Sequence, residues 1–125
     1  MKPSLIHETE DCRMISEMLS RVGDKWSMLV VTVLGDETMR FSDLRRRIGG
    51  ISQKMLTSTL RNLERDGFVS RTVRPSSPPQ VDYRLTPLGQ ELLLPVSALA
   101  DWTRANAGRI YSSRALYDAK TEVLD

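Results

Sequence analysis

A chain of 125 residues, 40% hydrophobic and 27% charged, has the size and balance of one soluble globular domain with a core of its own. Its net charge of +2 argues for no general attraction to polyanions, but the distribution does: from Arg40 to Arg74 nine basic residues stand against three acidic ones, so that segment is +6 and the remainder −4. One cysteine and one histidine exclude an intrachain disulfide and argue against a structural zinc site, so no metal or cofactor is expected.

The N-terminal MKPSLIHETED lacks the apolar centre of a signal peptide, and no apolar run approaches the ~20 residues of a membrane helix. A cytoplasmic protein with no membrane partner is expected. Residues 1–11 carry little pattern and are expected to form a flexible arm. From Cys12 to Val22, Ile15, Met18, Leu19 and Val22 recur at helical spacing, and Gly23-Asp24 breaks the run. Asp24 is placed to cap a second helix whose wide apolar face holds Trp26, Leu29, Val30, Val33 and Leu34, with Trp26 as the expected core anchor. Gly35, Asp36 and Glu37 read as a turn.

Arg40–Ile48 predicts a short helix burying Phe41, Leu44 and Ile48, with Ser42 as its cap. Gly49 and Gly50 release the chain, Ser52 caps a longer helix, and Gly67 stops it. At 100° per residue Leu56, Leu60 and Leu63 fall on one stripe with Thr59 at its flank. Lys54, Ser58, Arg61 and Arg65 fall opposite, with Thr57 beside them. Cations and hydroxyls of this kind bond phosphate oxygens and base edges, although most charged helix faces are merely solvated. A short helix, a glycine turn and a polar-faced longer helix form the helix-turn-helix layout.

After Gly67 the period switches to alternation. Phe68, Val69, Arg71 and Val73 suggest one strand, PSSPP a turn, and Val81, Tyr83 and Leu85 one face of a second strand. A hairpin directly after such a helix is a wing, with Arg74, Ser76, Ser77 and Gln80 at its tip. Thr86 and Pro87 then start a last helix carrying Leu88, Leu92, Leu99, Trp102, Asn106 and Ile110 on one stripe. Pro95 lies on that stripe and is expected to kink the helix or divide it. The helix has more apolar surface than one core contact needs. A homodimer seam through Leu92, Leu99, Trp102, Asn106 and Ile110 is therefore favoured over simple covering of the domain's own core. Residues 112–125 read as a fading helix and loose tail. The expected class is mainly α with a small β-hairpin, a winged helix-turn-helix domain over 12–111 whose N-terminal and long C-terminal helices form a dimer interface.

The chain resembles the HxlR-type winged helix-turn-helix regulators of prokaryotes, relatives of the MarR-like regulators. The resemblance rests on Cys12, Gly23-Asp24-Lys25-Trp26, Arg40-Phe41-Ser42-Asp43-Leu44-Arg45, the GISQKMLT run from Gly50, Leu60 to Gly67, and PPQVDYRLTPLG from Pro78. Together they cover roughly residues 12–105. The resemblance implies a homodimer on a near-palindromic operator. At the wing the family often has a basic residue where Gln80 stands, so Arg74 or Arg84 is left to supply that charge. Some members sense oxidants or electrophiles through a cysteine near the N-terminus, the position of Cys12. Arg13 and the helix N-terminus favour its thiolate, while Glu10 and Asp11 oppose it. Its alternative role is a small packed hydrophobe.

Three functions are weighed. A dimeric regulator of transcription binding double-stranded DNA would insert the Ser52 helix in the major groove, with Ser52, Gln53, Lys54, Thr57, Ser58 and Arg61 at bases or phosphates. Arg40, Arg45 and Arg46 would meet the backbone, and Arg74, Ser76, Ser77, Gln80 and Arg84 the adjoining strand. A small-molecule or oxidant effector at Cys12 or the seam would alter the spacing of the two helices. A winged-helix module that binds protein instead of DNA is the alternative. An enzyme finds no support: no Ser–His–Asp set, metal cluster or phosphate-cradling loop is visible.

Overall fold

The computed structural model describes residues 10–124; residues 1–9, most of the expected arm, lie outside that range. Glu10 and Asp11, expected in the arm, instead open the first helix. The elements are α1 (Glu10–Gly23), α2 (Lys25–Leu34), β1 (Met39–Arg40), α3 (Phe41–Ile48), α4 (Gln53–Arg65), β2 (Val69–Arg74), β3 (Gln80–Leu85) and α5 (Pro87–Leu124). They fall into two compact units, the first ending at Leu93 and the second beginning at Leu94.

In the first unit, the Asp24 carboxylate caps α2 by accepting from the Trp26 N–H at 3.4 Å and the Ser27 hydroxyl at 2.6 Å. The second bond satisfies a hydroxyl that is otherwise buried. The face turned inward is Ser27, Val30, Val31 and Leu34. Trp26, expected to anchor the core, only packs half-buried at its edge, and Val31 is enclosed instead. A unit this small closes around aliphatic side chains more readily than around an indole, which is seldom wholly buried.

The sheet has three antiparallel strands in the order β1-β3-β2, where a two-stranded hairpin was expected. Met39 pairs with Tyr83 and Arg40 with Asp82. Two residues cannot show alternation, which is why β1 is silent in sequence. It also moves the start of α3: the chain leaves the sheet directly into the helix, Arg40 occupies the cap position without a side-chain bond, and Ser42 lies inside the helix rather than capping it.

β2 and β3 are in register from Val69 opposite Leu85 to Arg74 opposite Gln80. Only the base of this hairpin reaches the core, so Phe68, Val69 and Leu85 are buried while Val73 is exposed. The expected inward row of β3 is broken by Asp82, which is buried between half-buried Val81 and Tyr83.

The Leu85-Thr86-Pro87-Leu88-Gly89 run has a steric explanation. The Thr86 hydroxyl donates to the Gly67 carbonyl at 2.5 Å and accepts the Gly89 N–H at 3.0 Å, capping α5 and fastening it to the end of α4. A Cβ at Gly89 would stand 2.1 Å from the Phe68 carbonyl oxygen, so only glycine permits this approach. Leu92 and Leu93 then pack against the core of the unit, although Leu92 was expected at a dimer seam.

The second unit is the remainder of α5. Pro95 lies inside the helix and does not divide it in two. It withholds one N–H, leaving the Glu91 carbonyl without its helical donor. Residues 112–124, expected as a fading helix and loose tail, are helical. The stretch is rich in Ala, Leu, Arg, Lys and Glu and contains neither Gly nor Pro, so local propensity sustains it.

Candidate nucleic-acid interface

α3, the Gly49-Gly50 turn and α4 form the centre of the site. Both glycines have φ of +72°, a backbone state costly for any residue with a Cβ. The Arg45 Nε donates to the Ile51 carbonyl at 3.0 Å, bracing the same turn from α3. Ser52 caps α4 by accepting the Met55 N–H at 3.0 Å. Its hydroxyl oxygen is therefore committed to the helix end.

α4 has the expected polarity. Leu56, Thr59, Leu60 and Leu63 are buried, and Gln53, Lys54, Ser58, Arg61 and Arg65 are exposed. The buried Thr59 hydroxyl donates to the Met55 carbonyl at 2.8 Å, and half-buried Thr57 donates to Gln53 at the same distance. Gln53, Lys54, Thr57, Ser58 and Arg61 line one shallow groove along the helix. Ser42, Arg45, Arg46, Ser52 and Gln53 line a second, at the turn.

Pairing sorts the basic segment into two groups. Arg46 is ion-paired with Asp43, Arg47 with Glu37 at 2.6 Å, and Arg74 with Asp82 at 2.6 Å. Among the described residues no ion pair engages Arg40, Lys54, Arg61, Arg65, Arg71 or Arg84. The recognition-type helix thus keeps its cations available, whereas α3 and the wing spend several on neighbours.

Asp82 is the organising residue of the wing, and the sequence offered no sign of it. Its buried carboxylate accepts from Gln80 Nε2 at 3.2 Å as well as pairing with Arg74. Arg74, expected to supply charge in place of Gln80, is thereby drawn back toward the sheet; Arg84 stays exposed. The tip is self-bonded through the Ser76 hydroxyl and the Pro78 carbonyl at 2.6 Å, with Ser77 exposed. Arg71 and Tyr83, read from the sequence as strand residues and not as part of the site, share a cleft with Arg61. Pairing across the hairpin, Arg71 opposite Tyr83, is the register signal that could have found them.

α1 is tied to the end of α4 by Arg21 and Asp66, 2.7 Å apart and each about a quarter exposed. Cys12 lies in the first turn of α1, 6% exposed, beside Glu10 and Asp11. In the second unit Leu99 and Trp102 are 54% and 57% exposed, and Asn106 and Ile110 are half-buried.

The HxlR-like helix-turn-helix profile matches residues 21–111. The chain belongs to the HxlR-like helix-turn-helix family. It is 47% identical over 98 residues to the uncharacterized HTH-type transcriptional regulator YtfH of Escherichia coli, covering 78% of each chain. Among solved structures, it matches ytfH from Salmonella typhimurium at 46% identity with a TM-score of 0.71, covering 80% of this chain and 89% of that one. HypR, a redox regulator solved in its reduced form, matches at 36% identity with a TM-score of 0.73, covering 78% of this chain and 97% of that one. The protein is accordingly a transcriptional regulator of HxlR/MarR type with a winged helix, and its relatives are regulators rather than enzymes. The match begins after Cys12. Among the described residues no helix is long and apolar enough to cross a membrane.

Proposed function

We propose that this regulator binds double-stranded DNA as a homodimer on a near-palindromic operator, acting in the cytoplasm at the nucleoid. Each subunit lays α4 in a major groove, with Gln53, Lys54, Thr57, Ser58 and Arg61 toward bases and phosphates. Arg40, Arg45 and Arg46 face the backbone, and the wing residues Ser76, Ser77, Gln80, Arg74 and Arg84 the adjoining strand. The two α4 helices then stand ~34–36 Å apart, one turn of duplex. The observation that carries this reading is the division of α4 into enclosed leucines and exposed, unpaired Lys54 and Arg61. Selection of bound sites from random duplexes tests it: a palindrome with half-sites one turn apart is expected, and no enrichment would favour a protein-binding module.

Pairing of two subunits through Leu99, Trp102, Asn106 and Ile110 is supported by how much apolar surface the distal α5 leaves uncovered. Leu92 contributes less, being partly used by the domain core.

A response to oxidants or electrophiles through Cys12 is the finer reading, supported by the likeness to HypR, a redox regulator solved in reduced and oxidized forms. With one cysteine per chain, two Cys12 thiols of a dimer would lose two electrons and two protons to an added oxidant and form an intersubunit disulfide. With the same oxidant, Cys12 and a small thiol would together lose two electrons and two protons to form a mixed disulfide, whereas an electrophile would be attacked by the Cys12 sulfur, which loses its proton and leaves an adduct. The thiol is buried, so an oxidant reaches it only when its surroundings open. Non-reducing electrophoresis and mass analysis after mild oxidant, with Cys12→Ser as control, tests this; an inert thiol and unchanged operator affinity make Cys12 a packing residue.

A further inference from the structure

We infer that Arg61, Arg71 and Tyr83 form a seat for one backbone phosphate of the bound duplex, at the junction of α4 and the wing. This rests on the DNA-binding reading above and adds to it two residues outside the recognition helix and the wing tip.

The cleft lies between α4 and the sheet and is lined by Thr57, Leu60, Arg61, Glu64, Arg71 and Tyr83. Two guanidinium-bearing side chains from different elements converge on it. Among the described residues neither forms an ion pair, although the Glu64 carboxylate lines the same cleft. Four carboxylates in or beside the basic segment, Asp43, Glu37, Asp66 and Asp82, are each within pairing distance of an arginine. Two cations sharing a concave site repel one another, and an anion between them converts that repulsion into charge-assisted hydrogen bonds. The Tyr83 phenol, which makes no hydrogen bond among the described residues, adds a neutral donor.

The chemistry of the cleft selects the anion. Its volume of about 320 Å³ lies at the low end of the ~300–1,000 Å³ usual for ligand pockets, and its lining is polar where such pockets are mostly apolar. Planar guanidinium forks suit the oxygens of a phosphate. The seat is also rigid: Leu60 at its floor belongs to the hydrophobic core, and Arg71 is held opposite Tyr83 in the β-ladder. A phosphate held there fixes α4 and the wing to the same duplex, setting register without reading sequence.

The experiment measures duplex affinity against salt for the intact protein, Arg71→Ala, Arg71→Lys, Tyr83→Phe and Glu64→Gln, on a selected operator and on random duplex. Thermal melting checks that each variant folds. Arg71→Ala is expected to weaken both duplexes about equally, by roughly tenfold, and to lower the salt slope by about one counterion. Arg71→Lys should keep most of the slope, and Tyr83→Phe should cost roughly threefold. Glu64→Gln, which removes the one carboxylate in the cleft, should tighten both duplexes. An unchanged slope in Arg71→Ala beside a steep slope in the intact protein overturns the phosphate seat and leaves the DNA-binding reading standing. A loss confined to the operator makes Arg71 a base-reading residue and likewise overturns it. A flat slope in the intact protein defeats both. Titration of DNA-free protein with inorganic phosphate distinguishes the sources: saturable, Arg71-dependent binding with no effect of Arg71→Ala on duplex affinity identifies a free-anion site and overturns the assignment to DNA.

Discussion

α4 and the distal part of α5 are both helices with apolar and polar residues on different sides, yet they stand in opposite states. In α4 the leucines are at most 2% exposed, enclosed against α2 and the sheet. In α5 beyond Leu94 the large side chains remain open, with Trp102 at 57%, Tyr117 at 70% and Leu116 at 74%. The first helix has found all its partners within its own unit; the second has not. An apolar helix face left in water is unfavourable by ~25 cal/mol for each Å² that a partner could cover. The same amphipathic design therefore serves two purposes: in α4 it fixes a helix so that its outer face can be used, and in α5 it leaves the inner face itself to be used.

That contrast can be broken most decisively at the enclosed end. Leu56→Ala removes a side chain with no exposure and is expected to cost ~2–5 kcal/mol, read as a fall in thermal midpoint. A negligible shift would mean that α4 is not anchored by its leucines. At the open end, Trp102→Ala should leave the melting of the first unit unchanged while weakening self-association by about 2 kcal/mol, some 30-fold in dimer dissociation constant by sedimentation. An unaltered dimer would place the seam elsewhere.

Smaller effects sharpen the boundary between the two regions. Gly89→Ala forces the start of α5 away from the Phe68 carbonyl and should destabilise the fold by ~1–3 kcal/mol. Wild-type stability in that variant would show that the helix can slide off the sheet freely. Ser52→Ala removes one cap from α4 and is expected to cost ~1 kcal/mol, with operator affinity falling only in proportion to the folded fraction. A much larger loss of affinity at full folding would make the Ser52 hydroxyl a DNA contact as well as a cap.

Much of this was legible along the chain because helices advertise themselves by period. The leucine stripe of α4, the Asp24 and Ser52 caps, and the glycine-started turn all depend on residues a few positions apart. What stayed hidden depends on residues far apart in sequence. β1 exists because Met39 and Arg40 meet Tyr83 and Asp82 across more than forty positions. Ser42 looked like a cap until that pairing placed Arg40 first. Asp82 fell off the Val81, Tyr83 and Leu85 face, and only the fold enclosed it with Arg74 and Gln80. Arg71 looked like one more cation among nine until register set it across from Tyr83 and into a cleft with Arg61.

The amino-acid order by itself determined that this chain would build a helix-turn-helix with a wing and which side of α4 would be apolar, because those features follow from local periodicity, caps and turns. Only the tertiary structure decided which cations are neutralised by a neighbour and which remain available, why Gly89 must lack a side chain, and that Leu92 and Leu93 close the first unit's own core. These outcomes are set by distances of a few ångströms between segments that the chain brings together only once it has folded.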